Sequence, residues 1–176
     1  MKLSHLFFLS AFAYAAYQAK VYFSPHYAPA VSYTDVQGNS HSFSQLDKPA
    51  VVGFWIDECG YSQRMMAVLN QIRQNYPADQ LDVVGFYLNS RSNSDIAAVA
   101  DKEGYQVTLA AAQSTPQLIE SLQSGFDIRG PGRDIYVIDK TGRIHTIKAV
   151  NGNNSPLPEN QIESQVEAQV KSAING

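Results

Sequence analysis

Phe54-Trp55-Ile56-Asp57-Glu58-Cys59-Gly60-Tyr61-Ser62 is the stretch on which the reading of the fold turns. Ala50-Val51-Val52-Gly53 leads into it as a near-continuous apolar run, the pattern of a strand buried on both faces. After it, Met65, Leu69, Ile72 and Tyr76 recur at helical spacing, and Met66 and Val68 widen the stripe. A helix is therefore expected from Gln63 to Tyr76, ended by Pro77. A buried strand thus runs through a turn into a helix, and the single cysteine of the chain, Cys59, stands at the joint. A thiol at a helix N-terminus meets unpaired backbone N–H groups and the positive end of the macrodipole. Both favour the thiolate, which is the nucleophilic form. Glu58, directly before Cys59, opposes it by like-charge repulsion.

Working outward, Val31 to Val36 alternates, Gln37-Gly38-Asn39 turns and Ser40 to Phe43 returns, which reads as a β-hairpin. Leu81 to Leu88 is a second largely buried strand. Ser94-Asp95 is read as the cap of a helix running to Glu103, which Gly104 stops. Tyr105 to Leu109 is a short strand candidate. Thr115-Pro116 is a cap followed by proline at the first helical position, opening a helix to about Gln123. Asp134 to Ile138 is a strand, Asp139-Lys140-Thr141-Gly142 a hairpin turn and Arg143 to Val150 the returning strand. Asn151 to Pro158 is an Asn- and Pro-rich loop. Its Asn153-Asn154-Ser155 matches a glycosylation sequon, a motif short enough to arise by chance. Ile162, Val166, Val170 and Ile174 form an apolar stripe on the last helix. This alternation, closed by a hairpin and a helix, predicts an α/β sandwich around a mixed sheet.

The 176 residues carry a net charge of −3. No surplus of Lys and Arg exists to neutralise phosphates, which argues against a nucleic-acid binder. One cysteine excludes an internal disulfide and a Cys-rich zinc site. His5, His26, His41 and His145 lack ligand spacing, so neither a metal nor another cofactor is expected. The chain is read in three parts: residues 1–19 as a signal peptide or signal-anchor, 20–30 as an extended linker with Pro25 and Pro29, and 31–176 as the folded domain. The apolar segment Leu3 to Tyr17 follows Lys2 and is shorter than the roughly 20 residues that span a bilayer comfortably. Ala13-Tyr14-Ala15 offers a cleavage site, whereas Tyr14, Tyr17, Tyr22 and Phe23 suit a membrane interface. Either reading places the domain outside the cytoplasm.

The joint resembles the Cys-x-x-Cys active-site segment of the thioredoxin superfamily, with Ser62 in the place of the second cysteine. Residues Thr34 to Leu46 resemble the N-terminal hairpin of membrane-tethered, extracytoplasmic thiol–disulfide oxidoreductases of the TlpA and ResA kind. Lys48 to Trp55 is similar to their central strand, and Tyr136 to Ile144 to their late hairpin. The resemblance covers about Val31 to Gly176. It implies a thioredoxin-like three-layer sandwich with a central mixed sheet, an N-terminal β-hairpin extension and a C-terminal helix. It further implies the bacterial periplasm, a secreted or inner-membrane-anchored chain, protein disulfides or low-molecular-weight thiols as partners, and an external reductant.

In such proteins the first cysteine attacks a disulfide and the second resolves the mixed disulfide. Cys59 matches the attacker and Ser62 occupies the resolver's slot. A hydroxyl forms no disulfide, so a dithiol cycle within this chain is excluded, whether the serine is natural or substituted for a cysteine. The acidic residue the family often places six after the attacker is Met65 here. The family's cis-proline slot, counted back from Tyr136, falls on Arg133, with Pro131 two residues earlier. An arginine there resembles peroxiredoxins, where it helps hold the thiolate; their threonine three before the cysteine is replaced by Ile56.

The expected site therefore has Cys59 and Ser62 as its catalytic pair and Trp55, Gly60, Tyr61, Pro131 and Arg133 as substrate-binding residues. Three functions fit. The first is thiol–disulfide exchange through one cysteine. The second is peroxide reduction by Cys59 with Arg133 assisting. The third is a redox-silent binding module using the groove around Trp55, Tyr61 and Gly130 to Arg133. Set against these are plainer roles: a buried structural cysteine, a core tryptophan and a solvated arginine.

Overall fold

Every residue from Ala50 to Trp55 is buried, as the apolar run requires of a central strand. The computed structural model describes residues 26–176; the expected export or anchor segment and the linker residues 20–25 lie outside them. In chain order the elements are β1 (Ser32–Thr34), β2 (Ser40–Ser42), β3 (Ala50–Trp55), α1 (Gly60–Asn75), β4 (Asp82–Tyr87), α2 (Asn93–Glu103), β5 (Thr108–Ala111), α3 (Pro116–Phe126), β6 (Asp134–Ile138), β7 (Ile144–Lys148) and α4 (Glu159–Asn175). Strands β3 to β7 form one five-stranded sheet in the order β5-β4-β3-β6-β7. β3, β4 and β5 run parallel, whereas β6 and β7 join antiparallel. This is the mixed sheet expected of a thioredoxin-like chain.

Alternate residues of the central strands feed two cores. On one face Val51, Trp55, Val83 and Tyr87 pack with Met65, Leu69 and Ile72 of α1, Ile96 of α2, and Ile162, Val166 and Val170 of α4. On the other, Ala50, Val52, Phe54, Phe86 and Tyr136 pack with Leu118, Leu122 and Phe126 of α3 and with Tyr33 and Phe43 of the hairpin. Gly53 stands beside Gly85 in register. A Cβ on Gly53 would lie 2.7 Å from Met65 Sδ and 2.8 Å from Leu69 Cδ1. The bare backbone lets α1 lie close on the sheet, and its N-terminus follows directly on the end of β3.

Several boundaries differ from the sequence reading. β5 lies at 108–111 rather than 105–109, because its register with β4 pairs Val84 with Thr108 and Tyr87 with Ala111. Tyr105 instead turns its ring edge-on to Trp55 at 5.7 Å. Ser92, not Ser94 or Asp95, caps α2, its Oγ accepting the Asp95 N–H at 3.1 Å. α3 continues to Phe126 because that ring is buried against Phe54 and Tyr136, with centroids at 5.4 and 5.1 Å. The buried stripe of α4 ends on Ala173, with Ile174 only partly covered.

Residues 26–30, expected in the linker, are extended but lie on the domain. Ile144 N–H donates to His26 O at 2.7 Å and Ala28 N–H to Gly142 O at 2.8 Å, so the segment follows the outer edge of β7. Pro29 then crosses against Gly125 of α3. After the first strand of the hairpin, Val36 N–H donates to Leu109 O at 2.8 Å, on the outer edge of β5. Residues 26–36 thus strap one face of the sheet and cover part of both edges, which blunts edge-to-edge pairing.

Candidate active site at the strand–helix joint

Three residues, Ile56 to Glu58, carry the chain from β3 to the N-cap of α1. Glu58, the last of them, adopts φ +57°, a left-handed conformation uncommon outside glycine. It delivers Cys59 to the N-cap of α1 in an extended conformation. A side chain at the N-cap faces the free N–H groups of the second and third helical residues, here Tyr61 and Ser62. Cys59 is partly exposed. Burial pushes its thiol up. The Ser62 N–H, the Ser62 hydroxyl, the Tyr61 N–H and the Arg133 charge together outweigh this and hold it below the ordinary thiol range.

Ser62 also ties the turn to its own start. It is 1 % exposed, and its Oγ accepts the Ile56 N–H at 3.1 Å. The serine thus closes the turn that presents Cys59, and it is among the groups that hold the thiol low.

The Gly130–Arg133 loop meets this joint backbone to backbone. Gly132 N–H donates to Phe54 O at 2.8 Å. Gly132 adopts φ +68°, and a Cβ there would lie 2.3 Å from Tyr61 C and 2.4 Å from Ser62 N. Only glycine fits both the conformation and the gap. All peptide bonds among the described residues are trans. Pro131 is half-buried beside this contact.

Arg133, partly exposed, lies against Tyr61 of the joint. Its guanidinium carbon sits 5.5 Å from the Tyr61 ring centroid, and Nη1 donates to Asn154 Oδ1 at 3.1 Å. Tyr61 Oη–H donates to the Asn154 carbonyl at 2.9 Å. Gly60 is exposed at the first helical position, and a Cβ there would meet nothing within 4 Å.

One placement corrects the expectation. Trp55, read as a substrate contact, is 1 % exposed and packs edge-on to Tyr87 at 4.9 Å. A side chain at the end of a strand buried on both faces cannot reach a partner, so Trp55 supports the joint from within.

Three neighbours were missed by the sequence reading. Asp57 accepts the Tyr87 hydroxyl and pairs with Arg91, whose guanidinium carbon lies 5.6 Å from the Tyr87 centroid. This anchors the turn to the segment after β4. Burial and then Asp57 push the Tyr87 hydroxyl up. Asn154 belongs to a loop more than ninety residues away in sequence from Tyr61. Asx hydrogen bonds of the kind Asn151 makes in that loop are typical of turn-forming asparagine, but sequence does not reveal where such a turn docks. Among the described residues, no group of three or more His, Cys, Asp or Glu is placed to hold a metal. None of the described helices is long and apolar enough to cross a membrane.

The surroundings of known proteins agree with this geometry at the level of fold. The chain superposes on a thioredoxin-family thiol:disulfide interchange protein from Chlorobium tepidum with a TM-score of 0.64 and 22% identity, over 86% of this chain and 97% of that one. A thiol:disulfide interchange protein from Bacteroides sp. gives a TM-score of 0.61 and 19% identity over 87% and 91%. A secreted Mycobacterium tuberculosis disulfide oxidoreductase homologous to E. coli DsbE gives 0.60 and 16% over 79% and 96%. No curated protein matches the sequence. The model of the AhpC/TSA family matches residues 26–147, a span holding the hairpin, the Cys59 joint and the Gly130–Arg133 loop, and the chain belongs to that family.

Proposed function

We propose that this protein performs thiol–disulfide exchange outside the cytoplasm through Cys59 alone. The observation that carries the reading is the place of one partly exposed sulfur at the N-cap of α1, beside the Gly130–Arg133 loop that packs on the Tyr61–Ser62 peptide, where the Ser62 and Tyr61 groups and the Arg133 charge hold the thiol low against burial. Groups so arranged stabilise a thiolate and equally a thiolate leaving group. The Cys59 thiolate attacks one sulfur of a disulfide, forming a mixed disulfide and expelling the other sulfur as a thiolate. With Ser62 in the resolving position, an external thiol, as its thiolate, attacks the mixed disulfide and releases Cys59. The substrates are protein disulfides or low-molecular-weight thiols in their oxidised form. Tyr61, Gly60, Pro131 and Arg133 border the partner surface, while Trp55 is kept in the core. Residues 1–19 serve as a cleaved export signal or a membrane anchor for the domain.

Non-reducing capture from the native compartment tests this. Covalent adducts on the wild-type chain that vanish under reductant and in Cys59→Ser are expected. A correctly exported chain that collects none would overturn the exchange reading and favour a redox-silent binding module.

Peroxide reduction is the second reading, favoured by the charge of Arg133 acting on Cys59. There the thiolate attacks a peroxide oxygen, becomes a sulfenic acid, and the alkoxide leaves as an alcohol after taking a proton. Rapid stoichiometric peroxide consumption that Arg133→Ala abolishes supports it. Slow consumption independent of Arg133 removes it.

A further inference from the structure

The loop between β7 and α4 reaches the joint through a single residue. Asn154 adopts φ +59°. Asn151 holds it there: Asn154 N–H donates to Asn151 O at 2.9 Å, and Asn151 Oδ1 accepts the N–H groups of Asn153 and Ser155 at 2.9 and 3.0 Å. Asparagine tolerates the left-handed region better than most residues. In that conformation Asn154 offers two acceptors at once, its carbonyl to the Tyr61 hydroxyl and its Oδ1 to Arg133 Nη1. Arg133 lies over the ring of the same Tyr61. Among the described residues Arg133 has no carboxylate partner, so Asn154 and Tyr61 fix where its charge sits.

We propose that Asn154 is a positioning residue: it seats Arg133 and Tyr61 at the Cys59 turn, so that the 151–158 loop sets how strongly Arg133 acts on the sulfur. A long arginine side chain held only by solvent would sample many rotamers and spend little time near Cys59. Held between an aromatic face and a neutral acceptor, the guanidinium keeps its full charge, which a carboxylate partner would cancel. Of the charged groups near the turn in sequence, Glu58 is exposed beside Cys59, Asp57 is already paired with Arg91, and Arg64 is exposed on α1. Arg133 is thus the cation left to act on the sulfur from the loop side.

This inference takes Cys59 as the reacting thiol, but its test reads the free protein and needs no turnover. The chain has one cysteine, so thiolate absorbance and the pH profile of alkylation report Cys59 alone. Arg133→Ala is expected to move the titration midpoint upward. Asn154→Gly, which tolerates the left-handed conformation and keeps the carbonyl but removes the side chain that carries Oδ1, is expected to move it the same way by a smaller amount and to slow alkylation at neutral pH. In the Arg133→Ala background, Asn154→Gly is expected to add nothing. An unmoved midpoint in either single variant overturns the proposal. So does an Asn154→Gly shift of equal size with and without Arg133. Unchanged Trp55 fluorescence shows that each variant is folded. If the cycle holds while no adducts form on Cys59, the exchange reading falls and the role of Asn154 stands.

Discussion

Ser62 shows how one residue can serve both turn and reaction. Its Oγ closes the β3–α1 turn by accepting the Ile56 N–H, and the same residue is among the groups that hold the Cys59 thiol low. Ser62→Ala is therefore expected to raise the Cys59 titration midpoint and also to destabilise the fold by about 1–2 kcal/mol, the cost of a buried N–H left unpaired. Thiolate titration and urea unfolding read the two effects separately. Ser62→Cys is expected to form an internal disulfide on oxidation and to shed long-lived adducts, which non-reducing electrophoresis checks. The position of Cys59 at a helix start was legible from the sequence, because strand and helix periods meet there. The Ile56–Ser62 bond was not, since it depends on Glu58 adopting a left-handed conformation that no residue type announces. Asn154 was illegible for another reason: its partners are distant in sequence, and only the closed fold brings them together.

At the scale of elements, the site depends on two close approaches. α1 lies on bare Gly53, and the 130–133 loop lies on the Tyr61–Ser62 peptide through Gly132. Gly132→Ala is expected to cost about 2 kcal/mol or more, combining the left-handed penalty with a backbone clash, and to lower the alkylation rate of Cys59 by displacing Arg133. A denaturation midpoint within error of wild type would contradict the packing described here. Thr115→Ala, removing the Oγ1 cap that accepts Leu118 N–H at 3.1 Å, is expected to cost about 1 kcal/mol without touching Cys59 reactivity. The central strands β3 and β6 were readable to the residue because both their faces are apolar. β5 was not: its buried alanines carry no strand signature, and its position is fixed by register with β4.

Across the whole molecule, the strap formed by residues 26–36 ties the hairpin to both edges of the sheet. Asp35 is its polar pivot, 3 % exposed, accepting the N–H groups of Gln37 and Asn39 and bonded to His41 Nε2 at 2.8 Å. Burial pushes its carboxyl up, but bonds from His41 and Asn39 outweigh this and hold it below the usual carboxylate value. A depressed folded pKa gives stability that is present above the unfolded carboxylate value and is lost as pH falls through the folded one. Asp139, also held low by Thr141 and His145 against burial, adds to the same acid limb. Asp35→Asn is expected to flatten part of the loss of stability at acid pH, as read by urea unfolding across that range. An acid limb identical to wild type would contradict this role. The three-layer order was legible from the alternation of strands and helices. The strap was not, because its prolines and polar residues read as a linker and its hydrogen bonds go to edges formed later in the chain.

The most direct measurement is the ultraviolet titration of Cys59 in the wild-type protein. The helix amides, Ser62 and Arg133 require a midpoint below that of an unperturbed thiol. A sulfur that ionises at or above the free-thiol value of about 8.5 would contradict the account.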